Sequence, residues 1–181
     1  METLSRLEAQ ILAYLLERLP ISTRGRCWVS PLAGGGAEVI AAAPLAAVPG
    51  TSAVFTLARA SRRVVLTLTG ADPVRVGPIL ARAAHEAPAD ADVHVLALDD
   101  PYLAGHGRAG VALLPPGSGR WFPGVPDAVR FDAEVVQVSM ATFLSPSELA
   151  DARTRGPEPL LAAFARGERD LIRFGSRERA G

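Results

Sequence analysis

Three histidines, His85, His94 and His106, and one cysteine, Cys27, are the side chains of this 181-residue chain best able to act as bases, nucleophiles or metal ligands. The histidines stand 9 and 12 residues apart, which matches no local metal-ligand spacing, so no metal site is expected. His106 lies between Gly105 and Gly107, a few residues after Asp99 and Asp100. It is the one histidine in a setting where a base could meet a substrate, although a loop histidine is more often simply solvated. Asp99-Asp100-Pro101 sets two carboxylates side by side. Adjacent side chains point different ways and no third acid is near in sequence, so the triplet reads as turn initiation before proline rather than as a cation site. Cys27, between Arg26 and Trp28, has no partner for a disulfide or a redox pair and reads as a small packed hydrophobe in a reducing compartment. Gly34-Gly35-Gly36 reads as a turn, since nothing after it looks like a helix whose N-terminus could hold a phosphate. No His-Glu-x-x-His, Gly-x-Ser-x-Gly or Gly-Lys-Ser/Thr pattern occurs, and no cofactor is expected.

Binding chemistry is better represented than catalytic chemistry. Arg120-Trp121-Phe122-Pro123 places two large aromatics inside a Gly/Pro-rich segment, as a lid on the core or as an anchor for another protein. Arg62-Arg63, like Arg153 and Arg155, reads first as a solvated face and second as a contact for an acidic partner. The 19 basic residues, all arginine, balance 19 acidic ones at a pI of about 6.8, so no global field gathers nucleic acid or anionic lipid. The arginines are spread along the chain, and with no lysine or asparagine present the composition reads as GC-rich coding bias. The chain opens Met1-Glu2-Thr3 without a basic region before an apolar run, and its longest apolar stretch, Val39 to Val48, is broken by Pro44. Neither a signal peptide nor a membrane span is expected, and the location expected is cytoplasmic.

The elements that must position these residues follow from periodicity. A hydrophobic fraction of 49% with 21% charged residues describes one globular domain, 1–181, with a real core. Leu4, Leu7, Ile11, Leu15 and Leu19 recur at helical spacing and predict a helix over 3–19 within an N-terminal segment 1–20 closed by Pro20. Strands are predicted over Cys27–Val29, Val39–Ala42, Ala53–Leu57 and Arg63–Thr69, the last mostly apolar on both faces and therefore central. Asp72-Pro73 caps a middle helix reaching Ala87, with Gly77 and Pro78 weakening its first turn. Further strands are expected at Val93–Leu98, Val111–Leu114 and Glu134–Met140, for a sheet of six or seven. Ser145-Pro146-Ser147-Glu148 is in capping-box register and starts a helix at Pro146 that runs to about Arg155. A second short helix covers Pro159–Arg166, with Gly167 as its cap. Residues 115–130 read as a long Gly/Pro loop, and 176–181 as a loose tail. The fold class expected is α+β: a mixed, largely antiparallel sheet flanked by an N-terminal helix, one middle helix and two short C-terminal helices.

The order of these elements resembles the suppressor of fused-like family, bacterial single-domain type. The resemblance is carried by Val54 to Ser61, Val64 to Leu68 and Pro78 to Ala84, similar to that family's strand with a small-residue turn, its next strand and its helix. Val111 to Pro116 is similar to its strand leading into a proline turn. Val135 to Val138, Ser145 to Leu149 and Gly156 to Leu161 resemble its closing strand, helix start, and following glycine and leucines. Coverage is roughly residues 50 to 175. Ala58-Arg59-Ala60-Ser61 stands where the family has a Gly-Met-Ser type turn, and residues 20 to 50 do not align.

What the resemblance implies is a non-enzymatic protein-binding domain whose partner is another protein, in bacteria often a toxin domain that it masks as an immunity or regulatory protein. The candidate partner-binding residues are Arg120, Trp121, Phe122, Arg62 and Arg63. The alternatives are a structural subunit of a larger assembly, or an enzyme of unrecognised type using His106 with Asp99 and Asp100.

Overall fold

The computed structural model describes residues 3–88, 92–169 and 171; the expected tail at 176–181 lies outside them. Helix α1 (Arg6–Arg18) begins after Ser5, whose hydroxyl accepts from the Glu8 amide while the Glu8 carboxylate accepts from the Ser5 amide. That capping box moves the start a few residues past the one periodicity suggests, because it competes successfully with one more helical turn. The strands follow as β1 (Arg26–Pro31), β2 (Ala37–Pro44), β3 (Ser52–Thr56) and β4 (Arg63–Thr69). Then come α2 (Pro73–Glu86), β5 (His94–Ala97), α3 (Pro101–Gly105), β6 (Gly110–Leu114), β7 (Ala128–Phe131) and β8 (Glu134–Leu144), with α4 (Pro146–Arg155) and α5 (Glu158–Ala165) last.

Among the described residues the strands form one eight-stranded sheet in the order β1-β2-β3-β4-β8-β6-β5, with β7 also paired to β8. Every pairing is antiparallel except β4 with β8. The fold is α+β, as the sequence predicts, with one strand more than expected. All seven residues of β4 are buried, which fits its central position. Its alternate side chains separate into two cores. Val64, Leu66 and Leu68 join Ile11 and Leu15 of α1, Phe122, Leu149 and Phe164 on one face, whereas Val65 joins Val76, Ile79, Leu80 and Leu103 on the other.

Two expectations along this framework are corrected. Asp99-Asp100-Pro101 does not merely turn the chain: the Asp100 carboxylate accepts from the Tyr102 and Leu103 amides at 2.9 and 3.1 Å and starts α3. Residues 115–130 are not loop throughout, because Pro116–Ser118 forms a 3-10 turn and β7 pairs with β8 through Val129 opposite Val136. β8 also continues past Met140 to Leu144, held by its pairing with β6. The glycine and proline of α2 do not interrupt it. A Cβ on Gly77 would stand 2.7 Å from Trp28 and 2.8 Å from Ile40, so glycine is what lets the helix lie against β1 and β2. Gly34, Gly35 and Gly36 all have positive φ and form the β1–β2 turn, as expected.

Both capping-box glutamates make the fold sensitive to acid. Burial by itself would raise the carboxyl pKa of Glu8 and of Glu148. Hydrogen bonds from Arg59 and Ser5 in the first case, and from Ser145 and Arg169 in the second, outweigh it and hold both below the ordinary glutamate range. A carboxyl depressed on folding contributes stability above its unfolded pKa of about 4.3, and that stability is lost as pH falls through the folded value. The thermal midpoint is therefore expected to decline below about pH 4.3. Glu8→Gln should be less stable at pH 7 and decline less on acidification; a Glu8→Gln curve parallel to the parent's would contradict this origin.

Candidate functional site

The loop aromatics singled out in the sequence come to rest beside the end of α1. A cleft of about 240 Å³ is lined by Arg18, Pro20 and Ile21 from the end of α1 and the residues after it, and by Arg120, Trp121 and Pro123 from the loop. Its floor is Leu45, Ala53, Leu68 and Phe122, at 8%, 1%, 3% and 1% exposure. The walls are fixed by backbone bonds: the Ala46 amide donates to the Pro20 carbonyl at 3.1 Å, Ile21 bridges Leu45, and the Val125 amide donates to the Phe122 carbonyl at 3.2 Å. Apolar side chains line the floor because β2 ends at Pro44 and β3 begins at Ser52, leaving the rim of the sheet covered only by these loops.

The electrostatics of this cleft are one-sided. Arg18 and Arg120 are exposed, and neither forms an ion pair among the described residues. No acidic side chain is among its described lining residues. Each guanidinium rests instead near an aromatic ring, Arg18 at 4.3 Å from the centroid of Tyr14 and Arg120 at 5.0 Å from that of Trp121. Contacts with ring faces restrain the long side chains and leave N–H groups available for an acceptor.

Of the five residues expected to meet a partner, Arg120 and Trp121 line this cleft and Arg62 lies elsewhere on the surface, paired with Glu134 at 3.2 Å. The other two are corrected. Phe122 is buried in the core, so its side chain is part of a lid and not an exposed anchor. Arg63 is only 3% exposed rather than solvated. Its guanidinium donates to Ser139 Oγ at 3.2 Å and to the Pro88 carbonyl at 2.7 Å, tying β4 to β8 and to the chain after α2, and burial pushes its pKa down. Arg18 does not stand out in the sequence because it reads as one more polar position of an amphipathic helix; its signal is its place in the last turn, directly before Leu19-Pro20.

The catalytic candidates are built into local structure. Asp100 caps α3, and His106 Nδ1 lies 2.8 Å from the Tyr102 carbonyl with its ring 4.4 Å from that of Tyr102. Asp99 contributes a carbonyl that accepts from Arg82 at 3.0 Å. None of the three lines any of the described cavities. Cys27 is exposed on the outer strand β1 rather than packed, and partial burial still raises its thiol pKa. It lines a larger cleft, about 570 Å³, with Leu4, Trp28, Val29, Val39 and Arg59.

Beneath that cleft lies a polar cluster the sequence does not reveal. Arg59 pairs with Glu8 at 2.5 Å, and the carboxylate of fully buried Glu38 accepts from the Val39, Arg59 and Ala60 amides and from Ser61 Oγ. Glu38 thereby fixes the β3–β4 connection, in which Ala58 and Arg62 adopt φ values of 59° and 51°. No group of three or more histidine, cysteine or acidic side chains among the described residues could hold a metal, and no described helix is long and apolar enough to cross a membrane. In comparisons with known proteins, no protein-family model, no curated protein and no solved structure matches the chain.

Proposed function

We propose that the chain is a non-enzymatic protein-binding domain of the suppressor of fused-like type, acting in the cytoplasm as an immunity or regulatory protein that masks a toxin domain or another partner. The observation that carries this reading is the cleft at the end of α1. It has a preformed apolar floor, a half-buried indole and two arginines that form no ion pair among the described residues. Aromatic and arginine side chains around an apolar depression are the residue types that dominate interface energetics. At about 240 Å³ the depression is below the roughly 300–1,000 Å³ of drug-sized ligand pockets, which favours a protruding side chain over a free metabolite.

The test is capture from source cells with the tagged chain, run beside an Arg120→Glu/Trp121→Ala variant shown by circular dichroism to be folded at the capture temperature. One stoichiometric partner held by the parent chain and lost by the variant is the expected result. Coexpression of that partner with and without the chain then reads masking directly, as growth restored or a cellular activity suppressed. A partner retained equally by both proteins would move the interface elsewhere, and recovery of the bait alone would overturn the reading.

A further inference from the structure

We infer that the cleft between the end of α1 and the 120–123 loop receives an acidic peptide segment carrying one apolar side chain. This rests on the protein-binding reading above and specifies the chemistry of what is bound. The chain as a whole is neutral, with 19 basic and 19 acidic residues, so an excess of positive charge at one place is a local arrangement. Elsewhere several surface arginines are neutralised at short range: Arg6 by Asp132 at 3.0 Å, Arg62 by Glu134 at 3.2 Å, half-buried Arg82 by Glu86 at 2.6 Å and Arg155 by Asp151 at 3.0 Å. Arg18 and Arg120 both line the cleft, and no acidic side chain is among its described lining residues.

A guanidinium held near an aromatic ring can meet a carboxylate in bidentate geometry with less side-chain entropy left to lose. The floor adds the second requirement. Leu45, Ala53, Leu68 and Phe122 offer no hydrogen-bonding side-chain group, so only an apolar side chain can fill the space without losing its own hydration uncompensated. An acidic residue on each side of a leucine or larger apolar residue satisfies walls and floor together. A nucleic acid strand is the less favoured polyanion, because its affinity depends on many phosphate contacts along a basic track, and among the described lining residues Arg18 and Arg120 are the cations.

The probe is a fluorescein-labelled nonapeptide with leucine at its centre and aspartate or glutamate at the flanking positions, titrated by anisotropy against the full chain. Saturable binding is expected. It should be at least tenfold weaker when the acids are replaced by lysine, at least fivefold weaker when the central leucine is replaced by serine, and progressively weaker as salt shortens the Debye length from about 10 Å at 0.1 M. Arg18→Glu/Arg120→Glu should lose at least tenfold toward the acidic peptide and gain affinity for the lysine peptide, a reversal that misfolding would not produce. No binding up to millimolar protein, equal binding of acidic and lysine peptides, or tighter binding of a single-stranded oligonucleotide at the same sites would overturn the inference. A native partner captured through Arg120 and Trp121 whose contact segment is basic or uncharged would overturn it too, while leaving the protein-binding reading intact.

Discussion

Phe122→Ala is expected to lower the unfolding free energy by about 3–5 kcal/mol, the usual cost of emptying an aromatic site in a packed core. The ring is 1% exposed and packs in the same core as Leu66, Leu68 and Met140 of the central strands. Its loop has little regular structure with which to collapse into the space left behind, so the cavity term persists. Trp121→Ala, at a half-buried position one residue earlier, should cost less than half as much, and Arg120→Glu should stay within about 0.5 kcal/mol of the parent, as exposed substitutions usually do. Urea unfolding of the three variants checks the ranking. A Phe122→Ala loss below about 1 kcal/mol would mean that the 120–123 loop is not part of the core. The ranking also decides which variants can report on binding: Arg120 and Trp121 can be altered with the domain folded, whereas loss of partner binding in Phe122→Ala would report unfolding as much as contact.

The second large effect is expected at Glu38. Its carboxylate is the common acceptor for three backbone amides and one hydroxyl, at 2.7 to 3.3 Å, in a connection that also contains two non-glycine residues at positive φ. Glu38→Ala leaves those donors without their acceptor; the Val39 bond is buried and the other three are partly buried, and an unmet buried donor costs roughly 1–3 kcal/mol, so a loss of about 2–3 kcal/mol is expected. The change should also be visible locally. Amide hydrogen exchange at Arg59 and Ala60 should accelerate more than the global stability loss requires, because the carboxylate holds the turn in place. A variant with near-parent stability and unchanged protection there would show that the turn is held by the strands alone.

Much of the framework is legible because its signals are local. Ser145-Pro146-Ser147-Glu148 and Asp72-Pro73 satisfy orphan amides within one turn of chain, and both start helices where expected. The run Arg63–Thr69 is a strand with the expected bounds, since a segment mostly apolar on both faces has no stable home except the middle of a covered sheet. What the sequence hides depends on distant partners. Nothing near Phe122 distinguishes lid from anchor, because the decision is made by Ala53 and Leu68, far away in the chain. Arg63 looks like its neighbour Arg62, and only the arrival of Ser139 and the Pro88 carbonyl makes one buried and leaves the other on the surface. β7 escapes notice because four residues among prolines and glycines become a strand only when β8 is there to pair with them. The candidate site was half legible for the same reason: Arg120 and Trp121 announce themselves as unusual loop residues, whereas Arg18 matters only through what lines the cleft with it.

The single parallel pairing, β4 with β8, bears on how the chain is made. β1 to β4 form a meander of sequential hairpins within residues 26–69, all of whose pairings are available as soon as that segment leaves the ribosome. β4 then waits as an open, mostly apolar rim until residues 137–140 arrive, some seventy residues later at synthesis rates of about 5–20 residues per second. For those seconds the nascent chain presents a strand edge that natural proteins ordinarily blunt or cover. An uncovered strand edge of this kind is also a template for pairing with another chain, so the order of synthesis exposes the half-made protein to aggregation until β8 arrives.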